Sequence, residues 1–321
     1  MKQFAIVKIG AIGDAVMAFP MAMRLKGKYP NSTISWIGGK TVRPLVEALG
    51  IVDSYIEVDE RKLYHGSLLS KLSVLGRVVS KTFFKKFDTI FLLHPDERFR
   101  LLMCLSRGPL IHMKHGTHFH LDRYHAQSYM DIVDKGYPLY YPTLFRKKRE
   151  GKRVALFPGG ARNTMREQSL RRWPVDSYVK LAHLLEQDGY EVCILGGKTD
   201  EWILPHFSEF TCVVGEKTLL KLGQAIADAD LFITHDTGPM HIAKLTKTKT
   251  FAIFGPVDPR GRMDANSIVT PIYAKKLSCQ PCYDGRNFAD CSNNLCMQQV
   301  TPQMVLDKVL EHEEASCLVS K

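Results

Sequence analysis

Residues 233–243, ITHDTGPMHIA, place several hydrogen-bonding side chains between a short apolar run and a segment that can start a helix. The preceding run, ADLFI, is typical of a buried parallel strand, and Pro239 suits the first turn of a helix, where an N–H group has no helical partner. The N–H groups at a helix start attract anions, and glycine lets a ligand approach the backbone. The stretch therefore predicts an anion site at a strand end.

Similar polar or glycine-rich segments follow other apolar runs. They are KIGAIGDAV at 8–16, FPGGARN at 157–163, GGKTDE at 196–201 and FGPVDP at 254–259. The first lacks the GxGxxG spacing of a dinucleotide fingerprint. Because ligands of parallel sheets bind outside the carboxyl ends of the strands, these loops together predict a nucleotide-type ligand with phosphates and hydroxyl groups.

The segments that must position these loops are short apolar runs, and longer amphipathic segments alternate with them along the chain. This alternation predicts parallel sheets. The alternation breaks at 136–153, where two prolines and a basic run indicate a linker. A length of 321 residues suits two domains at about 150 residues each. We expect an α/β protein of two Rossmann-like domains, 1–145 and 146–321, whose parallel sheets face each other across a ligand-binding cleft.

The composition restricts the class of protein. The 44 Lys and Arg exceed the 33 Asp and Glu, a net charge of +11 that predicts an anionic partner or substrate. Nucleic acid is not expected, because the chain lacks an RNA-binding signature, a helix-turn-helix and a zinc-finger pattern. No apolar run reaches the ~20 residues of a membrane span, and Lys8 and Asp14 interrupt the apolar N-terminus, unlike a signal peptide. We expect a cytoplasmic protein.

Four motifs, IVKIGAIGDAVMAFP, LRRWP, HDTGPMHIA and FGPVDP, together resemble those of glycosyltransferase family 9, the ADP-heptose:lipopolysaccharide heptosyltransferases and their relatives. The resemblance is strongest at the N-terminal loop and over 153–259. It implies a GT-B fold in which the N-terminal domain binds the acceptor and the C-terminal domain binds the sugar nucleotide. It also implies inverting transfer of a heptose from ADP-heptose to a lipopolysaccharide core or related glycan, without a catalytic metal.

By this resemblance Asp14 is the general base, which takes the proton of the acceptor hydroxyl. From its position alone, Asp14 can instead cap the following helix. Arg171 stands where the family usually has a diphosphate-binding lysine, and its planar guanidinium needs a different geometry. The donor-binding residues implied are Gly159, Gly160, Arg171, Asp200, Asp236, Thr237, Gly238 and His241.

Structural alternatives for the donor residues remain open. Asp200 occupies the place of a ribose-binding Glu, but an Asp in a first helical turn can equally serve its own helix. Asp236 or Thr237 can cap a helix, and His241 can be a core histidine.

The segment Arg61–Phe87 contains seven Lys or Arg and no acid, and five apolar residues in it fall near one helical face. This pattern suits a helix lying on an anionic inner membrane that carries a lipid-linked acceptor, or else a domain helix with a solvated basic face. The apolar row is Leu68, Leu72, Leu75, Val79 and Phe83. The acceptor-binding candidates are Arg61, Arg98, Arg123 and His125.

Four of the eight cysteines, Cys279, Cys282, Cys291 and Cys296, fall within 18 residues. A CxxC pair followed by two further thiols is typical of metal ligands, and disulfides are rare in a reducing cytoplasm. Some autotransporter heptosyltransferases that resemble this family hold iron in such a segment. Two interpretations remain: a structural zinc or iron, far from the motifs, or four free cysteines in a loop.

Other functions fit parts of this pattern. A family relative can use another nucleotide sugar or a protein acceptor. A GT-B sugar-nucleotide epimerase would turn over without an acceptor, and a non-catalytic nucleic-acid binder would show salt-sensitive binding to oligonucleotides.

Overall fold

The computed structural model describes residues 1–114, 117–149, 151–162, 167–215, 218–264, 267–285 and 287–319, the side chains of 317–319 excepted. The chain divides into two compact units. The first is Met1–Pro142, and the second comprises Thr143–Arg162 and the described residues from Glu167 onward.

Each unit contains one parallel β-sheet. Among the described residues the strands are β1 (Gln3–Lys8), β2 (Thr33–Gly39), β3 (Ser54–Val58), β4 (Thr89–Leu92), β5 (Leu110–His112), β6 (Arg153–Phe157), β7 (Glu191–Leu195), β8 (Thr211–Val213), β9 (Leu231–His235), β10 (Lys249–Ile253) and β11 (Val269–Ile272). The first sheet has the order β3-β2-β1-β4-β5, and the second has the order β11-β10-β9-β6-β7-β8. The two parallel sheets confirm the predicted α/β class.

Helices connect most of these strands. In the described part of the chain they are α1 (Ile12–Met17), α2 (Phe19–Lys28), α3 (Arg43–Ala48), α4 (Glu60–His65), α5 (Leu68–Thr82), α6 (His125–Asp131), α7 (Val175–Gln187), α8 (Leu219–Ala227), α9 (Gly238–Ala243), α10 (Leu295–Gln298) and α11 (Pro302–Val319). Short 3₁₀ helices lie at Glu97–Met103, Ser169–Arg171, Lys198–Phe207 and Pro259–Gly261. Within the part that the structure describes, no helix is both long enough and apolar enough to cross a membrane.

Both sheets contain a point where the strand order reverses. In the first sheet the chain builds β1, β2 and β3 to one side and then returns to place β4 beside β1. In the second sheet it builds β6, β7 and β8 and then returns to place β9 beside β6. Loops diverge at the carboxyl ends of such strand pairs and leave a crevice that binds ligands. We call these the first and the second switch point.

Buried apolar strands explain why the second sheet forms. All five residues of β9 are buried, as expected for a strand covered on both faces. The core around it includes Trp173, whose Nε1 donates to the Val300 carbonyl over 2.8 Å and whose ring packs edge-on against Tyr178. The tryptophan of LRRWP therefore anchors the segment that carries Arg171.

The segment predicted to be a linker is partly fixed on the second unit. The N–H groups of Leu144 and Phe145 donate to the Leu245 carbonyl over 2.8 and 3.2 Å, and the Lys148 N–H donates to the Asp228 carboxylate over 2.9 Å. The structural division consequently falls after Pro142, earlier than the boundary expected from the sequence.

Candidate active site

The first switch point carries Asp14. This residue lies in the first turn of α1, and the N-cap position belongs to Ala11, whose side chain makes no capping hydrogen bond. The Asp14 carboxylate lies 3.4 Å from the Nζ atom of Lys8, the last residue of β1. The Lys8 side chain is 3% exposed and that of Asp14 is 35% exposed. Asp14 is therefore not the N-cap, and its carboxylate combines access to solvent with a buried cation beside it.

The second switch point is formed by the loops that follow β6 and β9. Gly160 has φ +76°, and a methyl group added there would lie 2.6 Å from the Thr237 hydroxyl oxygen. The next N–H group, that of Ala161, donates to this oxygen over 3.0 Å. The Thr237 hydroxyl thus ties the two loops together, and Gly160 leaves the space that this contact needs.

Asp200 braces the same loop from the other side. Its Oδ1 atom accepts the Gly160 N–H over 2.8 Å, and its Oδ2 atom accepts the Gly197 N–H over 2.8 Å. The residue is 3% exposed. The bond to Gly197 is a capping-box contact at the start of the 3₁₀ helix Lys198–Phe207, which is the structural alternative in which Asp200 serves its own helix, and the role of Asp200 as a donor ligand stays a prediction.

Asp236 lies between two arginines. The Arg171 Nη2 atom is 2.9 Å from Asp236 Oδ1, and the Arg262 Nε atom is 3.9 Å from Asp236 Oδ2. The Asp236 side chain is 3% exposed, and the two guanidinium groups are mostly buried. Guanidinium groups bind phosphate oxygens in a bidentate manner, so this arrangement presents phosphate ligands held in place by a buried carboxylate.

Sequence analysis did not identify Arg262, Lys244 or Arg172. Lys244 is buried, its Nζ donates to the Arg262 carbonyl over 2.7 Å, and burial lowers its pKa to about 7, although Asp264 and Asp236 oppose this. Arg172 donates from Nε and Nη2 to the Gly160 carbonyl over 2.9 and 2.7 Å. The sequence features that could have indicated Arg172 and Arg262 were the second arginine of LRRWP and the basic residues that follow FGPVDP.

The predicted helix after β9 is present as α9, with Thr237 at its N-cap and Pro239 in its first turn. Thr237 occupies the N-cap position by its backbone, but its side chain makes no capping hydrogen bond to this helix. His241 is buried within α9, directly after Gly238, Pro239 and Met240.

His235, the last residue of β9, is a second buried histidine of this region. Its Nδ1 atom lies 3.0 Å from the Tyr178 hydroxyl oxygen, and burial, together with Arg171, lowers its pKa to about 3. His235 is therefore neutral at physiological pH and is part of the core.

The four acceptor candidates all lie in the first unit but have different surroundings. Arg98 is 81% exposed and donates from Nε to both Asp96 carboxylate oxygens over 3.0 and 2.9 Å. Arg61 is exposed on α4, and Arg123 pairs with Asp131. His125 begins α6 and contacts the Phe119 ring edge-on. The charges of Arg98 and Asp14 both act on the pKa of Tyr64, which Arg98 lowers and Asp14 raises.

The cysteine segment lies against a motif loop. The N–H groups of Cys282 and Tyr283 donate to the Pro256 carbonyl over 3.1 and 3.2 Å, and Gln280 Nε2 donates to the Gly255 carbonyl over 2.7 Å. The expectation that this segment lies far from the motifs is wrong, because it packs directly on the FGPVDP loop.

The four cysteines line one cavity of about 230 Å³ and are all free thiols. Cys279 and Cys291 are exposed, whereas burial and the neighbouring thiols raise the pKa of Cys296 to about 11. Among the described residues, no three His, Cys, Asp or Glu side chains are grouped to hold a metal ion. As placed, the thiols do not form a metal shell, and the metal stays a prediction.

The basic helix α5 exposes part of its apolar row. Leu68 and Leu72 are 73% and 52% exposed, and Phe83, just past the helix end, is 51% exposed. Another face of the helix buries Val74 and Val78 in the first unit. The apolar row is therefore not used for core packing along its whole length.

This chain is similar to proteins of a known family. Residues 127–292, just over half of the chain, match glycosyltransferase family 9 (heptosyltransferase). The lipooligosaccharide heptosyltransferase 2 of Campylobacter jejuni is 24% identical over 316 residues, which cover 93% of this chain and 95% of that protein.

Two solved structures share the fold. The ADP-heptose lps heptosyltransferase II of Escherichia coli has a TM-score of 0.70 at 20% identity and covers 98% of this chain and 100% of its own. The iron-containing dodecameric glycosyltransferase TibC of enterotoxigenic Escherichia coli has a TM-score of 0.64 at 12% identity, with 98% and 78% covered. Together with the two parallel-sheet units and the residues gathered at their switch points, these matches show that the chain belongs to glycosyltransferase family 9.

Proposed function

We propose that this glycosyltransferase transfers a heptose from ADP-heptose to a lipopolysaccharide core or a related glycan. The observation that carries the proposal is the group of Arg171, Asp236 and Arg262 at the second switch point, which offers phosphate ligands where parallel sheets bind nucleotides. The choice of heptose is supported by relatives that match along the sequence and are named as lipooligosaccharide or lipopolysaccharide heptosyltransferases.

The proposed reaction forms a bond from the acceptor oxygen to the anomeric carbon and breaks the bond from that carbon to the diphosphate. ADP leaves with the electron pair, and Asp14 takes the proton of the acceptor hydroxyl. Arg171 and Arg262 stabilise the negative charge that grows on the leaving diphosphate, which is the main electrostatic demand of such a step. No step requires a metal ion.

A transfer assay tests this proposal. The purified protein is first titrated calorimetrically with a panel of nucleotide sugars, and the tightest ligand is then incubated with truncated lipopolysaccharide acceptors and analysed by mass spectrometry. We expect ADP-heptose to bind best and the acceptor to gain one heptose. Conversion of the nucleotide sugar without an acceptor would instead identify an epimerase, and binding of oligonucleotides without any sugar nucleotide would overturn the enzyme assignment.

The four-cysteine segment is proposed to have a structural role in supporting the FGPVDP loop, with zinc or iron as the candidate metal. Four thiols around one cavity are the right donor type for either metal, although the side chains as placed do not converge on one point. Elemental analysis of protein prepared without chelator decides the matter. About one zinc or iron per chain supports the metal, and the absence of both supports free thiols.

Helix α5 is proposed to bring the enzyme to the cytoplasmic face of the inner membrane. Its exposed leucines lie in a segment that carries seven basic residues and no acid, a combination that binds anionic bilayers. Replacing Leu68 and Leu72 by serine should weaken binding to phosphatidylglycerol vesicles by about tenfold or more. The matched variant Leu204→Ser, at a half-exposed leucine of the second unit, should bind like the wild type. Equal binding of all three proteins would contradict a membrane contact through α5.

A further inference from the structure

Glu60, which the mechanism above does not use, is half-buried at the first switch point. Gly10, in the loop between β1 and α1, has φ +120° and donates its N–H to Glu60 Oε1 over 3.1 Å. A methyl group added to Gly39, at the end of β2, would overlap the Glu60 carboxylate. The start of α4, the end of β2 and the loop before Asp14 therefore all meet at this one carboxylate.

Lys8 pairs with Asp14 and acts on Glu60 only through its charge. Its Nζ atom lies 3.4 Å from Asp14 Oδ2, and its positive charge opposes the rise in the pKa of the Glu60 carboxyl. Charges in a partly buried site interact over longer distances than in water, so the charge of Glu60 acts on the Lys8–Asp14 pair without direct contact.

The charge of Glu60 changes near neutral pH. Burial raises the pKa of Glu60 to about 7, Asp59 raises it further, and the Gly10 N–H and Lys8 oppose the rise. Around it stand the phenols of Tyr55 on β3 and Tyr64 on α4, whose pKa values burial and the Glu60 charge both raise. The carboxylates of Asp14 and Asp96 also raise the pKa of Tyr64, and Arg98 lowers it. Burial also lowers the pKa of Lys244, in the second unit, to about 7.

We propose that Glu60 is a positioning residue for Asp14, which fixes the loop before Asp14 through the Gly10 N–H. This inference rests on the proposed role of Asp14 as the base. When Glu60 is ionised, its negative charge at this switch point makes Asp14 take up a proton more readily. When Glu60 is protonated, this charge is absent and the base is weaker.

The test is the pH profile of kcat for the wild type, Glu60→Gln and the control Glu57→Gln. Glutamine keeps an oxygen that can accept the Gly10 N–H but removes the titration. We expect the wild-type kcat to rise as the pH passes about 7, and we expect this rise to be lost in Glu60→Gln, with kcat at pH 8 lower by about tenfold. The control removes a carboxyl that pairs with Arg43 on the surface and should keep the rise. KM for the nucleotide sugar should not change, because its proposed ligands are in the second unit.

Gly39→Ala provides a second variant that displaces the Glu60 carboxylate without removing its charge, and it should lower kcat in the same direction. If Glu60→Gln keeps the pH profile and the kcat of the wild type while Asp14→Asn is inactive, Glu60 has no role in positioning Asp14. The proposed function would remain intact. If Asp14→Asn keeps the wild-type rate, the proposed base is wrong, whatever the Glu60 variants do. If the rise in kcat persists in Glu60→Gln, another group causes it, with Lys244 the first candidate. This result would also overturn the inference.

Discussion

The two switch points have the same topology but opposite chemistry. At the first, the partly exposed Asp14 carboxylate pairs with the buried Lys8 ammonium, and a second carboxylate, that of Glu60, binds the loop between them through the Gly10 N–H. At the second, two guanidinium groups flank one deeply buried carboxylate, that of Asp236. A partly exposed carboxylate suits proton uptake, whereas a fixed pair of guanidinium groups suits a diphosphate.

This difference also separates the effects that substitution should have. A carboxylate that takes a proton contributes to the rate, and an asparagine in place of Asp14 keeps an oxygen that can accept from the buried Lys8 ammonium, so little stability is lost. An arginine paired with a buried carboxylate contributes to binding and to stability together, because its loss leaves a charge in the interior without its partner. The comparison therefore predicts a loss of rate alone at the first switch point and a combined loss at the second.

The largest effect is expected for Asp14→Asn. The amide keeps the shape of the side chain but cannot accept the acceptor proton, so transfer should slow by about 10²-fold or more. Nucleotide-sugar affinity should be unchanged, and the free energy of unfolding should stay within ~1 kcal/mol of the wild type. Steady-state kinetics, calorimetry and thermal melting measure the three quantities. A near-wild-type rate would remove the chemical distinction between the two switch points.

Arg171→Ala should have the next largest effect, in the second unit. A charge-assisted contact contributes ~1.5–3 kcal/mol, so ADP should bind about 10- to 100-fold more weakly. Melting should also reveal a loss of stability, because the buried Asp236 loses its nearest cation. Adding Asp236→Asn should restore part of the stability but not the affinity.

Arg153→Ala is the matched control for this prediction. Arg153 is buried to a similar extent, with a side chain 15% exposed against 17% for Arg171, and it pairs with Glu191 at the start of β6 and β7. ADP should bind this variant as tightly as the wild type. If Arg171→Ala also keeps full ADP affinity, the guanidinium pair is structural and the contrast between the switch points disappears.

A smaller effect is expected on the pH dependence of stability. Glu60 has a raised pKa of about 7 in the fold against 4.5 for an ordinary glutamate, so the folded state keeps a proton that the unfolded chain has lost between these values. Its contribution to stability is fully present below about 4.5 and is lost as the pH rises through about 7. The difference in Tm between Glu60→Gln and the wild type should therefore grow in favour of the variant from pH 5 to pH 8. A constant difference would mean that Glu60 titrates normally.

The smallest effect is expected from metal removal. Because neither switch point uses a metal in the proposed reaction, dialysis against EDTA should change the initial transfer rate by less than about twofold. Any effect of stripping a metal from the cysteine cavity should appear as a lower Tm, since that segment supports the FGPVDP loop. Abolished transfer that returns on adding Mg²⁺ or Mn²⁺ would contradict the proposed chemistry.

The sequence by itself determined the features that depend on short stretches of chain. Apolar runs of strand length gave the α/β class, and the residues after them placed Asp14, Gly160 and Asp236 at strand ends, because strand and loop preferences are local. The start of α9 at Gly238, with Pro239 in its first turn, followed from the same rules.

Only the tertiary structure decided which of these residues meet. Glu60 contacts Gly10 from 50 positions away, Arg262 approaches Asp236 from another strand end, and the cysteine segment folds back onto Pro256. The two backbone contacts of the Asp200 carboxylate were not predictable for the same reason, since its partners lie on two different loops. Such contacts depend on sheet order and on which side chains the fold removes from water, and neither is encoded in the spacing of residues along the chain.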